Sequence, residues 1–126
     1  MKRIIEPLAS HGASINSNHF KAPLTIVGNT KLSPINYKQD IASAQVKSCL
    51  LLAALSSKND IKITEPKVTR DHTERMIELF GGNISYGNKE SFGQIELKYR
   101  DMSPKNHYSI PGDFSSASFI IVASIL

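Results

Sequence analysis

The run Cys49-Leu50-Leu51-Leu52-Ala53-Ala54-Leu55 constrains the fold more than any other part of the chain. A helix that is apolar on every face must be covered on every face, so this segment belongs inside a domain. The pattern predicts a helix over 40–55, ended by the polar stretch Ser56-Ser57-Lys58-Asn59-Asp60. Short strands flank it. Pro34-Ile35-Asn36-Tyr37 precedes it, and Ile61-Lys62-Ile63-Thr64 follows with clean apolar–polar alternation before Pro66 closes it. At 40% hydrophobic and 21% charged residues, the 126-residue chain can build a core and falls outside the disordered class.

The remaining elements are read in the same way. Residues 1–10 carry Ile4, Ile5 and Leu8 on one helical face, and His11-Gly12 stops the helix where glycine can supply a left-handed cap. Pro7 fits only if that helix starts a few residues earlier. Alternation predicts strands over 13–17 and 24–27, joined by the turn-rich Asn16 to Lys21, and then a loop over 28–34. A second helix is expected over 69–80, with Thr73 or Thr69 as N-cap and Met76, Ile77 and Phe80 as its apolar stripe. Gly81-Gly82 ends it. Strands over 83–86 and 94–99 flank a polar turn at 87–91. After a break at 101–106, a strand at 107–110 and a helix from about Ser115 complete the chain.

The order is α-β-β, then β-α-β-α-β-β, then β-α, which makes the fold class α/β (α+β). Leu8, Gly12, Ala13 and Ile15 echo Ile77, Gly81, Gly82 and Ile84, about seventy residues on. Leu24 and Ile26 likewise echo Ile95 and Leu97. The expected division is 1–33 as the end of one module, 34–100 as a complete β-α-β-α-β-β module, and 101–126 as the start of a further segment. Both ends read as cut. The first helix has no capping residue before it, and the last residues stop inside the apolar run Phe119 to Leu126.

A formal charge of +4 suits an anionic partner, either a phosphorylated metabolite or a nucleic acid, and equally suits a mildly basic solvated surface. The lone Cys49 cannot form an internal disulfide, which points to a reducing compartment. No window approaches the roughly 18 apolar residues of a membrane span. Glu6 and Pro7 interrupt the apolar stretch behind Met1-Lys2-Arg3, so no signal peptide is read and a cytoplasmic location is expected.

Three segments can carry chemistry. In Ile41-Ala42-Ser43-Ala44-Gln45-Val46-Lys47-Ser48, polar groups open an otherwise buried helix. Free N–H groups at a helix start attract phosphate, and Gln45 offers both a donor and an acceptor to a hydroxylated ligand. The plain alternative is that Ser43 only caps the first turn. Glu65 to Arg75 places seven ionisable residues in eleven positions just after a strand, where α/β folds put ligand sites. There Arg70 could hold a phosphate with its planar fork, or the segment could be a charged turn with an Asp71–Arg75 pair. His72 has no partners at metal-ligand spacing and no nucleophile beside it. In Pro111-Gly112-Asp113-Phe114-Ser115, Asp113 or Ser115 is read as a helix cap in preference to a catalytic group.

Four blocks together resemble the enolpyruvylshikimate-phosphate synthase family: Met1 to Leu8, Ser43 to Ser48, Thr69 to Met76, and Gly112 to Phe119. They stand in the family's order, and the similarity spans essentially the whole chain. The resemblance implies a fold of repeated β-α-β-α-β-β modules. It also implies an enzyme that moves the enolpyruvyl group of phosphoenolpyruvate onto shikimate 3-phosphate in aromatic amino acid biosynthesis. By resemblance, Ser43 and Ala44 hold the shikimate phosphate, and Gln45 lies against the ring and approaches phosphoenolpyruvate. Arg70 supplies positive charge to the shikimate phosphate, and Thr69 beside it belongs to the same substrate-binding set, at a position where family members usually carry Ser. Asp113 lies near the crossover between the family's two domains. No cofactor and no metal are implied; the expected partners are the two substrates and the remainder of an enzyme chain, without nucleic acid or membrane. The family's first Lys-Ser and Arg, its Arg-Pro pair and its later acidic residues have no counterpart here, so catalysis by this chain alone is not expected. The alternatives are the sibling transferase that acts on a UDP-amino sugar and a small basic nucleic-acid-binding domain.

Overall fold

The structure is a computed structural model that describes residues 1–28, 32–87, 93–103 and 107–126. The turn expected at 87–91, apart from Gly87, and parts of the loops expected at 28–34 and 101–106 lie outside these residues. The elements are α1 (Lys2–Ser10), β1 (Ser14–Asn18), β2 (Lys21–Val27), β3 (Ile35–Lys38), α2 (Ala44–Ser56), β4 (Ile61–Thr64), α3 (His72–Leu79), β5 (Asn83–Tyr86), β6 (Gln94–Lys98) and α4 (Phe114–Ile125).

β3, β4, β6 and β5 form a four-stranded sheet in that order; β3 and β4 are parallel, and the other pairs are antiparallel. The register aligns two apolar rows on one face. Ile35, Ile61, Leu97 and Ile84 stand side by side, as do Tyr37, Ile63, Ile95 and Tyr86. Between them runs the polar row Asn36, Lys62, Glu96 and Ser85, which the two-residue period of a strand sends to the other face. Val46, Leu50, Leu51 and Ala54 of α2 join Ile77 of α3 in the same core as the apolar rows. The result is one layer of helices on one face of a sheet.

Helix α2 starts at Ala44, four residues later than the sequence pattern suggests, because Ser43 takes the extended N-cap conformation and its Oγ accepts from the Val46 N–H at 3.4 Å. Asp40 to Ser43 therefore form the approach to the helix. Helix α3 starts at His72 with Asp71 at the N-cap position, so neither Thr69 nor Thr73 caps it. Both threonine hydroxyls are already engaged, Thr69 with Glu65 and Thr73 with Ser48. Of its expected stripe only Ile77 is buried; Met76 is 54% exposed, and Phe80 packs edge-on against Tyr108 at 4.9 Å between ring centres.

Helix α1 carries Pro7 within it and runs only to Ser10, while Ile5 is buried and Ile4 and Leu8 pack against the core. The β1–β2 hairpin turns at His19-Phe20, whose φ angles of 48° and 59° give the twist that suits a two-residue hairpin loop. β2 thus starts at Lys21, and the loop is shorter than expected. The echo between α1-β1-β2 and α3-β5-β6 extends to hydrogen bonds. Ala13 N–H donates to Leu8 C=O at 3.0 Å as Gly82 N–H does to Ile77 C=O at 2.8 Å, and Gly12 and Gly81 both have positive φ.

The expected strand at 107–110 is not formed. A strand needs a neighbour to accept its backbone hydrogen bonds, and among the described residues neither sheet includes this segment. α4 begins where Asp113 accepts from Ser115 N–H at 2.9 Å. It buries none of its residues here, with Phe114, Phe119 and Ile125 each about four-fifths exposed. Among the described residues, no helix is long and apolar enough to cross a membrane.

A Cβ at residue 82 would lie 2.4 Å from Ile77 Cγ2 and 2.9 Å from the Ile77 carbonyl oxygen. Gly82→Ala is therefore expected to destabilise the chain by about 1–3 kcal/mol, read as a lower urea midpoint at an unchanged slope. The Ser116 hydroxyl and then the Ser115 N–H hold the Asp113 carboxyl below its usual range. That cap is in place above the ordinary aspartate value and is lost as pH falls through the depressed one. In an acid titration the midpoint of the Ser115 amide shift should lie below the ordinary aspartate value of about 3.9; a midpoint at or above it would mean the cap is absent.

Candidate functional site

The approach to α2 is fixed before any ligand enters. Gln39, buried at the end of β3, accepts from Ser43 N–H with its Oε1 at 2.9 Å and donates from Nε2 to Ser43 C=O at 3.3 Å. Its own N–H donates to Thr64 C=O at 2.8 Å, tying the start of α2 to the parallel strand pair. With Val46 N–H bound to Ser43, no hydrogen bond among the described residues uses the N–H groups of Ala44 and Gln45. They are the unpaired donors of the first helical turn, at its partially positive end.

Facing them is the segment between β4 and α3. An open cleft of about 390 Å³ is lined by Ala44, Gln45 and Ser48 on one side and by Arg70, His72 and Thr73 on the other. Ser48 and Thr73 close its floor with a hydroxyl–hydroxyl hydrogen bond of 2.6 Å. Three of the five residues singled out from the sequence, Ala44, Gln45 and Arg70, thus share one cleft. Ser43 faces an adjoining one of about 360 Å³, shared with Gln45 and with Met1, Lys2 and Arg3 of α1. Thr69 turns the other way. Its Oγ1 donates to Glu65 Oε2 at 2.7 Å, and its N–H donates to Glu65 Oε1 at 3.0 Å.

Behind the cleft lies a group that sequence reasoning missed. Lys47 is 1% exposed and its ammonium stands 3.3 Å from Glu65 Oε1 and 2.6 Å from Glu74 Oε1, both carboxylates equally buried. The contact with Glu65 is a hydrogen bond. The closer one to Glu74 lies outside hydrogen-bond angles, so it is Coulombic, and among the described residues neither oxygen of Glu74 has a hydrogen-bond partner. Lys47 therefore joins α2 to the end of β4 and to the first turn of α3. The signal in the sequence was a lysine on a helix whose second half is apolar all round, with glutamates at a strand end and a helix start; the expected cover on every face is not complete, since Leu52 is 54% exposed. A buried charge of that kind requires partners.

Other reactive side chains are quiet. Burial raises the Cys49 thiol, which removes it as a thiolate nucleophile. Desolvation, followed by the carboxylates of Glu78, Glu74 and Asp71, pushes Tyr86 up to about 12, so its phenol stays a proton donor near neutral pH. The cleft thus offers helix N–H groups, a guanidinium, an amide, an imidazole and two hydroxyls. That set has the chemistry to receive an oxyanion with a hydroxylated body.

The family model described as EPSP synthase (3-phosphoshikimate 1-carboxyvinyltransferase) matches residues 1–126. The chain belongs to this family. Among its relatives, the 3-phosphoshikimate 1-carboxyvinyltransferase of Clostridium tetani is 48% identical over 126 residues, covering 100% of this chain and 28% of its own length. That of Petrotoga mobilis is 43% identical over 128 residues, covering 100% and 29%. The solved structure of EPSP synthase from Acinetobacter baumannii superposes with a TM-score of 0.78 at 38% identity, over 97% of this chain and 27% of the other. The chain thus spans a little over a quarter of the length of these EPSP synthases. It forms part of the enolpyruvyl transferase fold, and its four-stranded sheet with α2 and α3 has the β-α-β-α-β-β order.

Removing the charge of Lys47 while keeping its bulk would strand two buried carboxylates. Lys47→Met is expected to cost about 3–5 kcal/mol in urea unfolding. Adding Glu74→Gln should restore part of that loss by removing one stranded charge. No restoration would mean that packing, not charge, causes the loss.

Proposed function

We propose that this chain supplies part of the shikimate 3-phosphate cradle of a 3-phosphoshikimate 1-carboxyvinyltransferase. The full enzyme moves the enolpyruvyl group of phosphoenolpyruvate onto that substrate. The observation that carries this reading is the single cleft lined by Arg70 and by Ala44 and Gln45, whose N–H groups have no partner among the described residues. The phosphate would sit at the N-terminus of α2, held by Ser43 and Ala44 on one side and by the Arg70 fork on the other. Gln45 borders both clefts, which fits a side chain lying against the shikimate ring and reaching the phosphoenolpyruvate side. Thr69 stands beside Arg70 with its hydroxyl committed to Glu65, so its part is to support the arginine.

In this reading residues 1–33 end one module, 34–100 form a complete one, and 101–126 lead into a further segment. The four-stranded sheet of β3 to β6 supports that division. The exposed apolar faces of α4 and of β2, where Ile26 is 65% exposed, support contact with further parts of the same enzyme. The lone cysteine supports a cytoplasmic setting. The chain alone would bind one substrate without turning it over, since it spans a little over a quarter of the length of its relatives and the rest of the enzyme would complete the reacting site.

An amide-resolved NMR titration with shikimate 3-phosphate tests this. Shifts should centre on Ser43, Ala44, Gln45 and Arg70. Arg70→Ala should weaken binding roughly 10- to 100-fold, the worth of a hydrogen bond to a charged group. A folded chain whose spectrum ignores the ligand would refute the cradle.

A further inference from the structure

The segment that carries Arg70 is exposed and is held by two hydrogen bonds among the described residues. Pro66, Lys67, Val68 and Arg70 are all exposed, and no regular element spans them. Among the described residues, the hydrogen bonds made by residues 66–70 are the two that Thr69 gives, from its N–H and its Oγ1, and both end on the Glu65 carboxylate. That carboxylate is itself held. Lys47 Nζ donates to it at 3.3 Å, and Glu65 N–H donates to Gly93 C=O at 2.9 Å. Gly93 approaches so closely, at a positive φ of 77°, that a Cβ there would stand 2.3 Å from the Glu65 carbonyl oxygen.

A chain of contacts therefore runs from the sheet to the cleft. β6 backs Glu65 and Lys47 fixes its carboxylate. The carboxylate then holds both polar groups of Thr69, and Thr69 is bonded directly to Arg70. Lys47 lies on the helix whose first turn, two and three residues earlier, forms the opposite wall at Gln45 and Ala44. One carboxylate thus relates the two walls of the cleft to each other.

We propose that Glu65 is a positioning residue for Arg70: it never touches the ligand, and it sets where the guanidinium can reach. This inference rests on the cleft being the phosphate site. Arg70 has a long side chain that loses rotamer freedom when it binds, and a fixed backbone confines the remaining search to the side chain. Without the Glu65 bonds, residues 66–70 become a free loop between β4 and α3, and the cost of ordering them falls on binding.

The test is a double-mutant cycle on the 126-residue chain, with shikimate 3-phosphate as the probe and its affinity measured by NMR titration. Glu65→Gln and, separately, Thr69→Val are made with Arg70 present and with Arg70→Ala. Backbone amide order parameters of residues 66–70 are measured on each ligand-free chain. With Arg70 present, each change should weaken binding about tenfold and lower the order of the Arg70 amide, while α2 amides stay rigid. With Arg70→Ala, the same changes should alter affinity less than twofold. Equal losses in both backgrounds would overturn the proposal for Glu65 and, for Thr69→Val, would make Thr69 a ligand in its own right. Unchanged order at Arg70 would overturn it as well, and that reading also stands if Arg70→Ala lowers affinity below measurement. Should the wild-type chain ignore the probe, the cleft reading fails, and the order parameters alone then decide whether Glu65 holds the loop.

Discussion

One ammonium ion between two carboxylates ties the start of α2, the end of β4 and the start of α3 together. Lys47 reaches from the first turn of α2 to Glu65 just after β4 and to Glu74 in the first turn of α3, all within a shell that excludes solvent. Exposed ion pairs contribute little because water and salt screen them, whereas a pair cut off from water is costly to break. Its value here is less in net stability than in geometry. Apolar contacts can slide, but an ammonium shared by two carboxylates fixes both helix starts against one strand end. Those are the places that carry Gln45 and Arg70.

The trio can be buried because the sheet beneath it is regular. The register puts Ile35, Ile61, Leu97 and Ile84 in one row and Ile63 and Ile95 in the next. α2 lays Val46, Leu50, Leu51 and Ala54 over them. Lys47 follows Val46 in sequence, beside the apolar stripe and close to the end of the helix, where the strand termini bring polar groups within reach. Had the charge come two turns later, it would have lain among Leu51, Ala54 and the sheet, with no carboxylate near. The apolar core and the polar trio are thus parts of a single layer, divided along the length of α2.

This division explains which features were legible in the sequence. Strands β3 to β6 and the two helices between them follow from alternation, glycine stops and one run of apolar residues, all local signals. The N-cap of α3 was not legible. Thr69 and Thr73 have the right chemistry for a cap, but Glu65, four residues before Thr69, and Ser48 on α2 had already engaged their hydroxyls. The strand expected at 107–110 failed for a related reason: alternation marks a segment able to pair, and pairing depends on a neighbour that local sequence does not specify. In the cleft, Ala44, Gln45 and Arg70 were legible because helix starts and guanidinium groups are recognisable in isolation. Gln39 and the Lys47 trio were not, since each acts through partners that only the fold brings together.

The echo between the two helix–glycine–strand–strand units separates local from tertiary causes within one chain. Both units end their helices with a positive-φ glycine and return through a hairpin, with Ile15 opposite Ile26 in one and Ile84 opposite Leu97 in the other. Their local geometry is therefore set by the same residues. Their burial is not. Ile84 and Leu97 are core residues, while Ile26 is 65% exposed. The difference lies in what stands beside each hairpin: β6 pairs with β4 and so joins the parallel strands, and β1–β2 forms a two-stranded sheet of its own. A two-stranded ribbon is marginal by itself, and three or more strands with an apolar face make a core. The β-α-β half of the module is what converts the shared unit from a hairpin into a foundation, and the strand it adds ends at Thr64, next to Glu65 and the segment that leads to Arg70.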